Sequence, residues 1–124
     1  MRDLYSDYLH EVEVGGRRVK VWPSFDVVIQ IIDLQRNKAI TIEDYVFTAA
    51  ELLTGKRYPL HVSAAIVTET MEKLGSSEKR VQEAFFSFTQ DAFLIYAAFR
   101  QAYGIDLHAE RGKMHFTEFV ALFS

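Results

Sequence analysis

No cysteine occurs in the 124 residues of this chain, which excludes disulfide staples, thiolate nucleophiles and cysteine-based zinc sites. A strong excess of either charge is also missing. The formal net charge is -3, which sets up no field that would collect phosphate backbones, so nucleic acid is not an expected partner. Basic residues cluster only at Arg17, Arg18 and Lys20, directly after Gly15-Gly16; so brief a group reads as the solvated side of a hairpin. Long apolar runs are absent as well. The longest, Ala92–Phe99, falls far short of the roughly 20 residues a bilayer span requires. Asp3 and Asp7 among the first residues do not make the basic-then-apolar start of a secretory leader. Together these absences predict a cytoplasmic protein with no membrane association.

What is present is apolar and aromatic. Hydrophobic residues make up 49% of the chain, with ten Phe and six Tyr, which is enough for a core and argues against disorder. The length fits a single domain over residues 1–124. In "VEVGGRRVKV" the alternating Val12 and Val14, the Gly-Gly pair and the alternating Val19 and Val21 predict a hairpin within residues 10–22, because two-residue turns favour positive φ. A lone hairpin is marginal and must lie on something; the helix that follows is the expected support. A helical body over 24–75 starts at Pro23-Ser24, where Ser24 is the expected cap. Phe25, Val28, Ile29 and Ile32 form one apolar stripe and Val27, Ile31 and Leu34 a second, the pattern of a central helix. Thr41 with Asp44 approximates a capping box, with Ile40 and Tyr45 placed as a staple, and the helix so opened stops at Gly55. The next carries Val62, Ile66, Val67, Thr70 and Leu74 and stops at Gly75.

Residues 75–88 hold the most polar stretch, "SSEKR", and the pattern leaves them open between a linker and a new helix. "FFSFT" alternates and Thr89 with Asp91 resembles a fresh cap, which favours a break near Phe88. Over 89–123 a helix shows Ala92, Tyr96, Phe99 and Tyr103 on one face, flanked by Ile95 and Ala98. Gly104 stands where a left-handed terminal residue belongs, with Ile105 placed to fold back on Phe99 as in a Schellman ending. A last helix repeats the stripe at Phe116, Phe119, Val120 and Phe123. The expected fold is therefore mainly α (α+β): a compact helical domain of about five helices with a small N-terminal β-hairpin.

Motifs that carry chemistry are absent or broken. "DLQRNKAITIED", Asp33 to Asp44, partly fits a twelve-residue calcium loop, but it offers Gln35 and Lys38 where an acid and the turn glycine belong and ends on Asp44 instead of Glu. A second half-match ends at Glu118 and has Leu107, Ala109 and Arg111 in its ligand positions, which cannot coordinate calcium. His10, His61, His108 and His115 lack metal-site spacing, and His115 is expected to pack its ring edge against the terminal aromatic stripe. Nothing matches a nucleophile elbow, a phosphate loop or paired carboxylates. The reading is a non-enzyme with no cofactor and no metal.

The run "DAFLIYAAFRQAYGIDL" followed by "MHFTEFVALF" resembles the C-terminal signature of the phage gene-product-fifteen family of siphophage tail modules. That family places "IYAAF-x-Q-x-YGIDL" before an "mHW-x-x-F-x-aL" helix. Matching positions are Ile95, Tyr96, Ala97, Ala98, Phe99, Gln101, Tyr103, Gly104, Ile105, Asp106, Leu107, His115, Phe119, Ala121 and Leu122, with Phe116 where Trp is common. The earlier hairpin, the "SFDVVIQI" helix and "ITIEDYVFTAAELLTGKRYP" follow the family's order more loosely, and its Lys-rich linker is reduced here to "SSEKR". The resemblance implies a phage tail assembly chaperone acting in the cytoplasm of the bacterial host and left out of the virion. Its implied partners are the tape measure protein, the tail tube protein or a companion chaperone, with self-association allowed. Tyr96, Phe99, Tyr103, Gly104, Ile105, Asp106, Leu107, His115, Phe119 and Leu122 are the signature it assigns, first to joining the last two helices and second to a partner surface. The alternatives are a helical adaptor with another partner and a degenerate calcium-binding protein of the EF-hand kind.

Overall fold

A computed structural model describes residues 8–123. Asp3 and Asp7, and the ends of the expected 1–124 domain, lie outside the described residues. The fold is mainly α with a small hairpin: β1 (Glu11–Val14) and β2 (Arg17–Lys20), then six helices among the described residues, α1 (Phe25–Arg36), α2 (Ile42–Thr54), α3 (Leu60–Lys73), α4 (Lys79–Gln90), α5 (Ala92–Tyr103) and α6 (Phe116–Phe123).

The hairpin pairs Val12 with Val19 and Val14 with Arg17. Its turn residues Gly15 and Gly16 have φ of 58° and 79°, the doubly left-handed backbone that matches the strand twist. Val12 and Val19 are buried, while Arg17, Arg18 and Lys20 are exposed and Arg18 reaches Glu11 at 3.2 Å. The main support of the hairpin is α3, not α1 as chain order implies. The Trp22 N–H donates to the Leu53 carbonyl at 2.8 Å, which ties the exit of β2 to the end of α2.

Phe25, Val28, Ile29, Ile31 and Ile32 of α1 are all buried; of the expected second stripe Ile31 is buried while Val27 and Leu34 are half-buried. Its start differs from expectation. Ser24 occupies the cap position but makes no side-chain cap bond, and its buried hydroxyl has no hydrogen-bond partner. One donor at the helix start is satisfied from across the molecule: Phe25 N–H donates to the Met114 carbonyl at 2.9 Å, and Phe116 N–H of α6 donates to the Pro23 carbonyl at 2.8 Å. These bonds flank a two-residue bridge between Ser24 and His115 that joins the starts of α1 and α6.

The α2 cap forms as expected, Asp44 N–H donating to Thr41 Oγ1 at 3.1 Å. The Schellman ending is found on α3, where Ser76 N–H reaches the Met71 carbonyl at 3.1 Å and Gly75 N–H the Glu72 carbonyl at 3.0 Å. Most of the stretch left open between linker and helix is α4. The expected break near Phe88 is displaced to Asp91, whose φ of -150° and ψ of 71° interrupt the helical path. The physical reason is packing: Phe88 points inward, its ring 6.2 Å from that of Phe25, 5.8 Å from Tyr96 and 6.0 Å from Phe119. A helical turn there packs the half-buried ring against the core. One buried cluster takes residues from both strands and all six helices. No helix among the described residues is long and apolar enough to cross a membrane.

Candidate functional site

The signature residues occupy three joints. In the first, Phe119 of α6 is fully buried and near-parallel to Phe25 at 5.1 Å and to Phe99 at 5.3 Å, so it bonds α6 to α1 and α5 through ring stacking. Tyr103 meets Phe99 edge-on at 5.6 Å, and its hydroxyl donates to the Leu122 carbonyl at 2.6 Å, which fastens the end of α5 to the end of α6.

The second joint is the turn after α5. Gly104 adopts φ of 68° and its N–H donates to the Arg100 carbonyl at 2.9 Å, while Ile105 N–H reaches the Phe99 carbonyl at 3.3 Å. This is the simpler left-handed ending with one extra bond, not the Schellman pair expected. Asp106 Oδ1 accepts the His108 N–H at 3.0 Å and its other oxygen lies 3.7 Å from Arg100; Leu107 is buried. His108 stacks flat on Tyr96, ring centres 4.0 Å apart.

His115 serves a third joint. It is fully buried, and its Nδ1 accepts the Thr117 N–H at 3.1 Å, so the proton sits on Nε2, which donates to the Leu9 carbonyl at 2.7 Å. Its ring face stacks on Tyr8 at 4.8 Å and meets Trp22 edge-on at 5.4 Å; the expectation of edge packing on the terminal stripe gives way to this hydrogen-bonded seat. Burial pushes its pKa below the ordinary histidine value, against opposing pulls from the Leu9 carbonyl and Glu118.

Asn37 Oδ1 accepts the Ala39 N–H at 2.9 Å, and no group of three or more His, Cys, Asp or Glu side chains among the described residues is placed to hold a metal ion.

The feature that sequence periodicity missed is the outside of α5. Only Phe99 of this apolar helix is buried; Phe93 is 85% and Leu94 59% exposed, and Ala97, Ala98 and Ala102 are exposed beside them. Ala98, expected to flank the inner stripe, therefore faces out. A recess of about 240 Å³ lies at this face, lined by Phe93, Tyr96, Ala97, Arg100, Asp106 and His108. Part of the signal was available: Leu94 lies across the helix from the inner stripe of Ala92, Tyr96, Phe99 and Tyr103, and Phe93 lies at its margin beside Tyr96. This exposed apolar face, with the recess beside it, is the candidate site.

A family model described as "Bacteriophage Gp15 protein" matches residues 5–124. No curated protein and no solved structure matches the chain.

Proposed function

Since the chain belongs to the bacteriophage Gp15 protein family and is thus a phage protein, we propose that it acts in tail morphogenesis as a non-catalytic assembly chaperone. In this reading it binds the tape measure protein, the tail tube protein or a companion chaperone in the host cytoplasm and is absent from the finished virion.

One observation carries the reading beyond the family: α5 holds Phe93 and Leu94 in solvent although its opposite side is anchored in the core by Phe99. Displaying large apolar side chains on a rigid helix favours capture of an apolar partner segment, as in helix-in-groove recognition. The area is small, so single contacts are weak. Many copies on one long partner act together through avidity, which suits reversible coating of an extended protein until other subunits displace the copies.

The test is co-expression with the tape measure and tail tube proteins of the phage that carries it. Co-purification with either supports the proposal. If all three proteins are soluble together and none co-elutes with this chain, the chaperone reading fails.

A further inference from the structure

The bend between α4 and α5 is one residue wide. Asp91 N–H donates to the Ser87 carbonyl at 3.1 Å and the Asp91 carbonyl accepts the Ile95 N–H at 3.2 Å, so its backbone belongs to both helices. Only its own φ of -150° and ψ of 71° turn the chain. Local chemistry does not demand that turn, for no glycine or proline occurs between Gly75 and Gly104. The apolar pattern also runs straight through it. Val81, Phe85, Phe88, Ala92, Ile95 and Phe99 recur at alternating intervals of four and three, the heptad seam of one continuous helix, and all are buried or half-buried in the bent form. The bend is held instead by the Asp91 carboxylate, which accepts the Leu94 N–H at 3.0 Å, and by the Phe88 ring against Phe25, Tyr96 and Phe119.

We infer that Asp91 is the hinge of a segment exchange: α4 and α5 join into one helix over residues 79–103, and two copies of the chain trade residues 92–123. The partner follows from what straightening uncovers. It withdraws α6 from α1, which opens the Phe25–Phe119 stack, the bonds of Phe25 to Met114 and of Phe116 to Pro23, and the seat of His115 on Leu9. Each of these contacts joins a residue before the hinge to one after it. A second copy open at the same hinge restores them all, because it presents the same Leu9, Pro23 and Phe25. The Phe99–Phe119 stack and the Tyr103–Leu122 bond lie wholly after the hinge and travel with the segment. The exchange does not depend on which tail protein the chain binds.

Asp91→Ala removes the cap and favours a continuous helix, whereas Asp91→Gly removes the same carboxylate and weakens that helix. In sedimentation equilibrium of the full chain, Asp91→Ala is expected to raise the dimer association constant by about tenfold or more over wild type, and Asp91→Gly to leave it within about threefold. In the dimer fraction the amides of Ala92 to Leu94 are expected to exchange about tenfold slower or more than in the monomer, since a continuous helix offers them the carbonyls of Phe88, Thr89 and Gln90. Cross-linking reports the exchange directly. Ser24 and His115 oppose each other between their two flanking bonds, a pairing with Cα atoms about 4.5 Å apart and within disulfide reach. In a chain without native cysteine, Ser24→Cys with His115→Cys in the Asp91→Ala background is expected to link monomers internally and dimers between chains. Internal bonds alone in the dimer fraction overturn the exchange, as does an Asp91→Ala chain that stays monomeric or an Asp91→Gly chain that dimerises equally well. If the cysteine pair does not fold, Ala92 to Leu94 amides that gain no protection in the dimer overturn it instead.

Discussion

Phe119 shows how much one side chain can decide. Its ring is stacked on Phe25 and Phe99 and meets Phe88 edge-on at 6.0 Å, so four helices share one buried contact. Phe119→Ala leaves a cavity that those rings cannot close, and a loss of about 3–5 kcal/mol in urea unfolding is expected. Thr70 is the opposite case: fully buried on α3, with a hydroxyl that has no hydrogen-bond partner. Thr70→Val exchanges that hydroxyl for a methyl of similar size, and stability is expected to rise by about 1 kcal/mol, read as a higher urea midpoint with unchanged slope. His115 sets a pH dependence. Burial depresses its folded pKa, so the unfolded chain takes up the proton first. The stability it contributes is complete above the ordinary histidine value of about 6.5 and is lost as pH falls from there toward the depressed folded value. Urea midpoints are expected to fall between pH 7.5 and 5.5, and His115→Asn is expected to flatten that decline while lowering the plateau. A wild-type midpoint as flat as that of the variant would contradict this assignment.

At the scale of elements, the boundary between α4 and α5 depends on one residue. Asp91 ends α4 in a non-helical conformation and its carboxylate accepts the Leu94 N–H at 3.0 Å, capping α5. Asp91→Ala removes the acceptor, with an expected cost of about 1 kcal/mol; hydrogen exchange at the amides of Ala92 to Leu94 should accelerate more than that of α3. Local chemistry made some boundaries readable in advance. Thr41, Gly55, Gly75 and Gly104 each act through their own backbone or a donor three to five residues away, and such short-range signals survive any tertiary arrangement. Ser24 misled for the converse reason. Its surroundings are set by the bonds of the segment to Met114 and Phe116, partners remote in the chain, and its hydroxyl makes no cap bond. Phe88 misled in the same way: alternation in "FFSFT" reads as a break, but the ring is wanted inside by α1, α5 and α6.

For the whole molecule, the contrast between the two sides of α5 matters most. Phe99 anchors it while Phe93 stays outside, so Phe93→Ser should leave stability within about 0.5 kcal/mol of wild type and abolish co-purification with a tail partner; a destabilised variant would instead place Phe93 in the core. The sequence by itself determined the mainly helical class, the hairpin and the family, because composition, Gly-Gly turn chemistry and a contiguous motif are local properties of the chain. It also determined the Thr41–Asp44 cap of α2, but not the cap of α1. Only the tertiary structure decided that the hairpin rests on α3, that His115 bridges to Leu9, and which apolar residues of α5 remain in water. Helical periodicity tells which side chains share a face, but whether a face is covered depends on elements distant in sequence, and α5 has neighbours enough to bury only one of its sides.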